Sequence, residues 1–253
     1  MSTPFGPEAA ASGAQPTPSI TIPAARIHLR EEAPVAYLSI SPPLDSATLA
    51  ELTHTLETWQ MPAHLKAFVL EMTNCAGSSS PASAEGAAKK RLEETRQGRV
   101  RERALVVAQE RAQAALSRIP VPVLGVASGS VPPLCCVLLS CCDVLLAAQE
   151  TVFVCEGNSF LAYRAPITRA GGTGALLERI SAHQAHRQGL INWLAPADQL
   201  SHEMERILGM LRELSATSLA LAKQAFLIGI AHPNAPEKAL AEIGSLYLQD
   251  LMA

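Results

Sequence analysis

Apolar and polar positions change period along the chain, and the changes mark out alternating strands and helices. Residues 35–40 (VAYLSI) form a short β-rich run that Ser41-Pro42-Pro43 stops. Asp45 or Ser46 can cap a helix behind it, on which Leu49, Leu52, Leu56 and Trp59 recur at helical spacing. Residues 65–72 (LKAFVLEM) are the next predicted strand, and the small and polar residues 75–88 a loop. Residues 89–118 then read as one long charged helix with Leu105, Ala108, Ala112, Ala115 and Leu116 on its apolar face, ended by Pro120. A buried strand is expected over 121–128. A buried helix over 131–142 follows, with Pro132 and Pro133 at its start, where a missing N–H costs little. Strands are expected at 144–147, 151–155 and 190–194. Leu200, Met204, Ile207, Leu208, Leu211 and Leu214 align on an amphipathic helix over 199–214, and helices over 218–230 and 236–251 finish the chain. Strand–helix–strand alternation implies an α/β core with parallel strands and crossover helices.

Composition sharpens this picture. Residues 1–23, rich in Ala, Pro, Ser, Gly and Thr and without periodicity, are expected to be a disordered leader. Residues 24–195 would form the core and residues 196–253 a helical region. With 48% apolar residues the 253-residue chain can bury a sizeable core, and at 4% aromatic content Leu, Ala and Val must fill it. A net charge of −3 and the few aromatics argue against a nucleic-acid partner. The longest apolar stretch, 131–144, holds roughly 12 apolar residues, too few to span a bilayer. No basic and apolar secretory signal opens the chain, so a cytoplasmic location is expected.

Four of the six cysteines (Cys75, Cys135, Cys136, Cys141, Cys142 and Cys155) crowd into one predicted helix. Adjacent helical residues point about 100° apart, so these four cannot converge on one ion. No metal is expected, and packing as small hydrophobes is the plain reading. A reactive thiolate at Cys135 or Cys155 is the alternative.

The middle of the chain resembles the crotonase superfamily, the enoyl-CoA hydratase/isomerase fold. Residues 119–129 (IPVPVLGVASG) resemble its "IPKPVIAAVNG", and Cys142-Asp143 resembles its "LACD". Thr151-Val152-Phe153 resembles "AKF", and Ala170-Gly171-Gly172-Thr173 matches "AGGT". Residues 180–185 with 188–192 resemble "ISAEEA…GLVN", and residues 218–226 resemble the late "SPLALRAAKRAL" helix. The ordered set spans roughly residues 35–226. The implied fold is an α/β spiral of ββα units with C-terminal helices. The implied ligand is an acyl thioester of CoA or of an acyl carrier protein, with no tightly bound cofactor. The implied assembly is a homotrimer or hexamer.

In that family two backbone N–H groups hold a thioester carbonyl as its oxygen gains enolate charge. The residues matching these donors are Ser78, in Cys75-Ala76-Gly77-Ser78-Ser79, and Leu134, in the turn over residues 129–137 (GSVPPLCCV). The departures are chemical. The family's two catalytic glutamates align with Val137 and Gly157, neither of which moves a proton, so hydration by paired carboxylates is excluded. Glu156, one residue away, would substitute after a local shift; a solvated loop acid is its plain reading. Cys155 falls on the same loop. Pro133-Leu134-Cys135 replaces the family's glycine run and should crowd the pocket. Between Gly172-Thr173 and Ile180-Ser181 the chain is short by roughly four helical turns relative to the resemblance.

Other clusters carry competing readings. Residues 89–103 hold seven basic and three acidic side chains, either a phosphate contact at the cofactor entrance or a solvated face of Glu/Arg pairs. His183 and His186 lie one turn apart without an acid nearby, and packing or surface roles suit them. Two functions stand side by side. One is a lyase, dehydrating or decarboxylating a glutaryl-type thioester in polyketide β-branching or other secondary metabolism, where the enolate-stabilising donors matter more than two glutamates. The other is a non-catalytic homologue that binds a thioester or scaffolds a partner enzyme.

Overall fold

The computed structural model describes residues 26–41, 44–73, 90–154, 179–232 and 234–251, with backbone alone at 90–97, 99, 230 and 249–251. A six-stranded sheet in the order β1-β2-β3-β4-β6-β9 is its frame. Its strands are β1 (Ile27–Glu32), β2 (Val35–Ile40), β3 (Ala67–Thr73), β4 (Val123–Ser128), β6 (Val144–Ala148) and β9 (Trp193–Ala195). All neighbours are parallel except β1, which pairs antiparallel with β2. A second sheet joins β5 (Ser130–Val131), β7 (Val152–Val154) and β8 (Arg179–Ser181). The described helices are α1 (Ser46–Thr58), α2 (Lys90–Ser117), α3 (Pro133–Leu139), α4 (Ala182–Arg187), α5 (Leu200–Arg212), α6 (Ala216–Ala231) and α7 (Pro236–Leu251).

Period-two alternation sorts the strands' apolar residues between two layers. Ala36, Leu38, Phe68, Leu70, Val123 and Leu145 face α1, α2 and α3, meeting Leu49, Leu52, Leu116 and Leu138. Val35, Tyr37, Val69, Leu124, Val126 and Leu146 face α5, meeting Leu200, Met204, Ile207 and Leu208. Parallel strands buried on both faces need continuous apolar sequence, which is why β2, β3, β4 and β6 are legible as runs. The predicted α/β core with crossover helices is therefore present, with one antiparallel edge strand added.

Several boundaries differ from expectation. The helix expected over 131–142 is confined to Pro133–Leu139. Val131 is drawn into β5 by pairing with Phe153, and extended Pro132 (φ −71°, ψ 165°) caps the helix. At its far end Cys141 and Cys142 donate to the carbonyls of Leu138 and Leu139, three residues back, tightening the last turn. The strand expected at 190–194 starts only at Trp193. Gly189, at φ 75°, ends α4 in the left-handed conformation, and the Leu190 N–H is spent on the Ala185 carbonyl at 2.9 Å. Leu214, expected on the buried face of α5, is 50% exposed beyond the helix end.

Asp45 caps α1, accepting the Thr48 N–H at 2.8 Å and pairing with Arg26 at 2.9 Å. The Thr48 backbone N–H is the main cause holding its carboxyl below the usual range. Among the described residues no helix is long and apolar enough to cross a membrane.

Candidate functional site

Leu134 and Val137 are the site residues that fall among the described ones; Ser78, Cys155, Glu156 and Gly157 lie outside them. So do residues 75–88, Ala170-Gly171-Gly172-Thr173 and the gap before Ile180.

The turn that carries Leu134 is built by the residues before it. β4 runs up the centre of the sheet to Ser128, and Gly129 turns the chain at φ 72°, where a side chain would strain the backbone. The Gly129 carbonyl accepts the Val152 N–H at 3.0 Å, and Ser130 and Val131 pair with Val152 and Phe153. Buried Thr151 closes this junction. Its N–H donates to Ala148, and its carbonyl accepts from Ala182 at 2.8 Å. α3 therefore starts from a clamped platform.

Leu134 is the second residue of α3, in the first turn, where N–H groups have no intrahelical acceptor. The first bond of the helical ladder runs from Cys136 N–H to Pro132 carbonyl at 3.0 Å. Pro132 and Pro133 carry no N–H, so Leu134 bears the first main-chain donor of this turn. Its side chain is half-buried.

Val137 lies one turn further in and is 2% exposed. Among the described residues, β5, α3 and β7 carry no carboxylate, histidine, lysine or arginine. Among the described residues this turn thus offers a main-chain N–H donor at Leu134 and, in β5, α3 and β7, no carboxylate, imidazole or amine beside it.

The cysteines pack. Cys135, Cys136 and Cys142 are buried and Cys141 half-buried. Cys136 Sγ donates to the carbonyls of Val131 and Val154 at 3.5 Å each, tying α3 to β5 and β7. Val154 is the last described residue before Cys155. Among the described residues no three metal-ligating side chains cluster. His183 and His186 are exposed on α4.

A groove of about 560 Å³ runs between α1 and α2, lined among others by Ala50, Thr53, His54, Arg103, Val107 and Arg111. None of its lining residues belongs to β4, β5, α3 or β7, so this groove is separate from the α3 turn.

One buried charge escaped the sequence reading. Lys223, 8% exposed on α6, donates to Asp143 at 2.7 Å and to the Val121 carbonyl at 3.1 Å. A lone cation inside ALAKQAFLIGIA was the available signal, because a lysine in an apolar helix needs a partner when buried.

A family model described as Enoyl-CoA hydratase/isomerase matches residues 30–247. A curated relative, rat "Enoyl-CoA hydratase domain-containing protein 3, mitochondrial", is 32% identical over 120 residues, 42% of this chain and 39% of its own length. The chain thus aligns with about two fifths of that protein. Among solved structures, an enoyl-CoA hydratase from Mycobacterium smegmatis superposes at TM-score 0.71 with 21% identity, covering 90% of this chain and 91% of the other. A putative enoyl-CoA hydratase from Thermobifida fusca, solved in complex with acetoacetyl-CoA, superposes at 0.69 with 15% identity, covering 90% and 96%. The crotonase fold read from the ordered motifs is the fold of these structures.

Proposed function

The chain belongs to the enoyl-CoA hydratase/isomerase family, and from that premise we propose that it binds an acyl thioester, on CoA or an acyl carrier protein, at the first turn of α3. The observation that carries this reading is the pairing of Leu134 and Val137: a first-turn N–H is kept while the acid one turn on is replaced by a buried valine. The Leu134 N–H, with that of Ser78, would hold the thioester oxygen. The acetoacetyl-CoA bound by the Thermobifida fusca neighbour supports this ligand class.

The enzymatic form of the proposal is a lyase acting in polyketide β-branching or related secondary metabolism. In decarboxylation of a glutaconyl-type thioester, the carbon–carbon bond to the carboxylate breaks and CO2 leaves. The electron pair passes through the conjugated double bond into the thioester carbonyl, where the two N–H groups stabilise the enolate oxygen. The carbanionic carbon then takes a proton, from water or from Glu156 or Cys155. Dehydration would need one of those two side chains to protonate the departing hydroxyl. No tightly bound cofactor is required for either step.

The non-catalytic form keeps the thioester and loses the chemistry. Val137, with Leu134 and Pro133 where the family has glycine, favours it. Assembly as a trimer or hexamer is supported by exposed Phe226, Leu227, Leu240, Tyr247 and Leu248 on α6 and α7.

Mass spectrometry of CoA- and carrier-bound hydroxyglutaryl and glutaconyl thioesters incubated with the protein separates the two forms. Loss of water or CO2 supports the lyase; retention of every substrate intact, alongside measurable binding, supports the non-catalytic form. No binding by any thioester contradicts both.

A further inference from the structure

The groove between α1 and α2 carries a charge pattern that packing does not explain. Val100, Arg103, Ala104, Val107 and Arg111 fall at i, i+3, i+4, i+7 and i+11 of α2, which puts them in one stripe along the helix. Val100 and Val107 are 68% and 47% exposed, and both arginines are exposed. Among the described residues neither arginine joins an ion pair. Eight residues of helix set them about 12 Å apart along the axis. Between them Ala104, Val107 and Ala108 line the groove with Ala50 of α1, a furrow into which the ridge of a third helix can pack. Residues 89–103 hold seven basic and three acidic residues in a chain of net charge −3, so α2 is a positive strip on a negative molecule.

The groove opens toward the edge of the sheet from which α3 starts. β2 and β4 run parallel on either side of β3. The chain leaves the end of β2 for α1 at Ser46 and the end of β4 for α3 at Pro133. α1 and α2 each return the chain to the start of the next parallel strand, so they run in the same direction. Their far ends meet where Arg118 stands 4.0 Å from Glu57. Ser46 and Arg103 therefore lie toward the α3 edge. α2 packs against both α1 and α3, so groove and turn are neighbours across one helix.

We propose that this groove seats an acidic amphipathic helix of the protein that carries the thioester, an acyl carrier protein, with carboxylates two turns apart on Arg103 and Arg111 and an apolar residue between them on Val107. The identity of the carrier rests on the thioester reading above; the preference for an acidic helix does not. Carboxylates seven or eight residues apart on a helix are about 10–12 Å apart, which matches the arginines. The guanidinium forks fix their orientation, and the apolar stripe gives the helix a face to lie on. A nucleotide phosphate would use the arginines but leave Val100 and Val107 without a role. The chain's own residues 1–25 and 74–89 carry one acidic side chain each, Glu8 and Glu85, and so cannot supply the pair. Exposed ion pairs are individually weak and screened by salt, which suits a carrier that must leave after each encounter.

The test is titration of the full chain with an acidic, helical acyl carrier protein bearing acetoacetyl-phosphopantetheine, beside acetoacetyl-CoA. Arg103→Glu with Arg111→Glu, both at exposed positions, is expected to weaken carrier binding by about tenfold or more and CoA binding by less than about twofold. Val107→Asp alone should weaken carrier binding in the same sense. Reversing two carrier carboxylates two turns apart to arginine should restore binding to the double variant. Equal losses for carrier and CoA would make the arginines phosphate contacts and overturn the proposal. Carrier binding that the variants leave unchanged, or no carrier binding by the wild type, overturns it as well. A carrier stripped of its phosphopantetheine arm should still bind with the same dependence on Arg103 and Arg111. An acyl arm that adds nothing to that binding counts against the thioester reading and not against the groove, so the two failures are distinguishable.

Discussion

The side chain at position 137 is 2% exposed and cannot titrate, while the residue three positions before it keeps its N–H in the first turn of α3. In the proposed site those two residues would separate carbonyl polarisation from proton transfer within one helical turn. Gly125, on the strand leading to that turn, illustrates how closely the neighbourhood is packed. A Cβ there would run into Leu145 Cδ2 and stand 2.9 Å from Cys142 Sγ and 3.0 Å from Leu139 Cδ2. Gly125→Ala is expected to cost about 1–3 kcal/mol by overpacking, read as a lowered urea midpoint with unchanged slope. The cysteines belong to this scale too. Cys142 fills the space that Gly125 leaves open, and Cys136 bonds two carbonyls, so both are packing residues despite their crowding in sequence.

At the scale of elements, α1 depends on its cap. Asp45 accepts Thr48 N–H and meets Arg26, and Asp45→Ala is expected to cost about 1 kcal/mol in a thermal melt at neutral pH. The carboxyl's folded pKa is depressed, so its contribution is present above the ordinary carboxylate range and is lost as pH falls through the depressed value. Wild-type and variant melting curves should converge in acid; a constant gap down to low pH would argue against the cap's ionised form. α1 was legible because cap and apolar face sit in one contiguous segment. β2, β3, β4 and β6 were legible because both their faces are apolar. β1 was not, because an edge strand with the sequence IHLREE buries only Ile27 and exposes its charged residues. α3 was read too long because nothing local marks Val131 as a strand; its partners Val152 and Phe153 lie about twenty residues on. The Asp143–Lys223 pair spans still more sequence, and no local pattern encodes it. In the candidate site, Leu134 and Val137 were named through the resemblance, and both fall on one turn of α3.

On the scale of the whole molecule, two layers of helix enclose the sheet, and α6 and α7 carry exposed apolar side chains. Phe226 is 64% exposed, and Leu240 and Leu248 are 68% and 61% exposed. Large exposed apolar side chains grouped on neighbouring helices mark candidate interfaces. Phe226→Asp is expected to shift the mass measured by light scattering from a multiple of 26.8 kDa to the single chain. A wild-type protein already at the single-chain mass would remove α6 and α7 as an interface.

In the proposed site the Leu134 N–H polarises a thioester carbonyl. Infrared difference spectroscopy with acetoacetyl-CoA labelled with carbon-13 at the thioester carbonyl reads that bond directly. On saturating binding the C=O band should move to lower frequency, and in Leu134→Pro, which deletes the donor in a turn that tolerates its loss, the shift should shrink or vanish. Saturating binding with an unmoved band, or an equal shift in Leu134→Pro, would contradict the account.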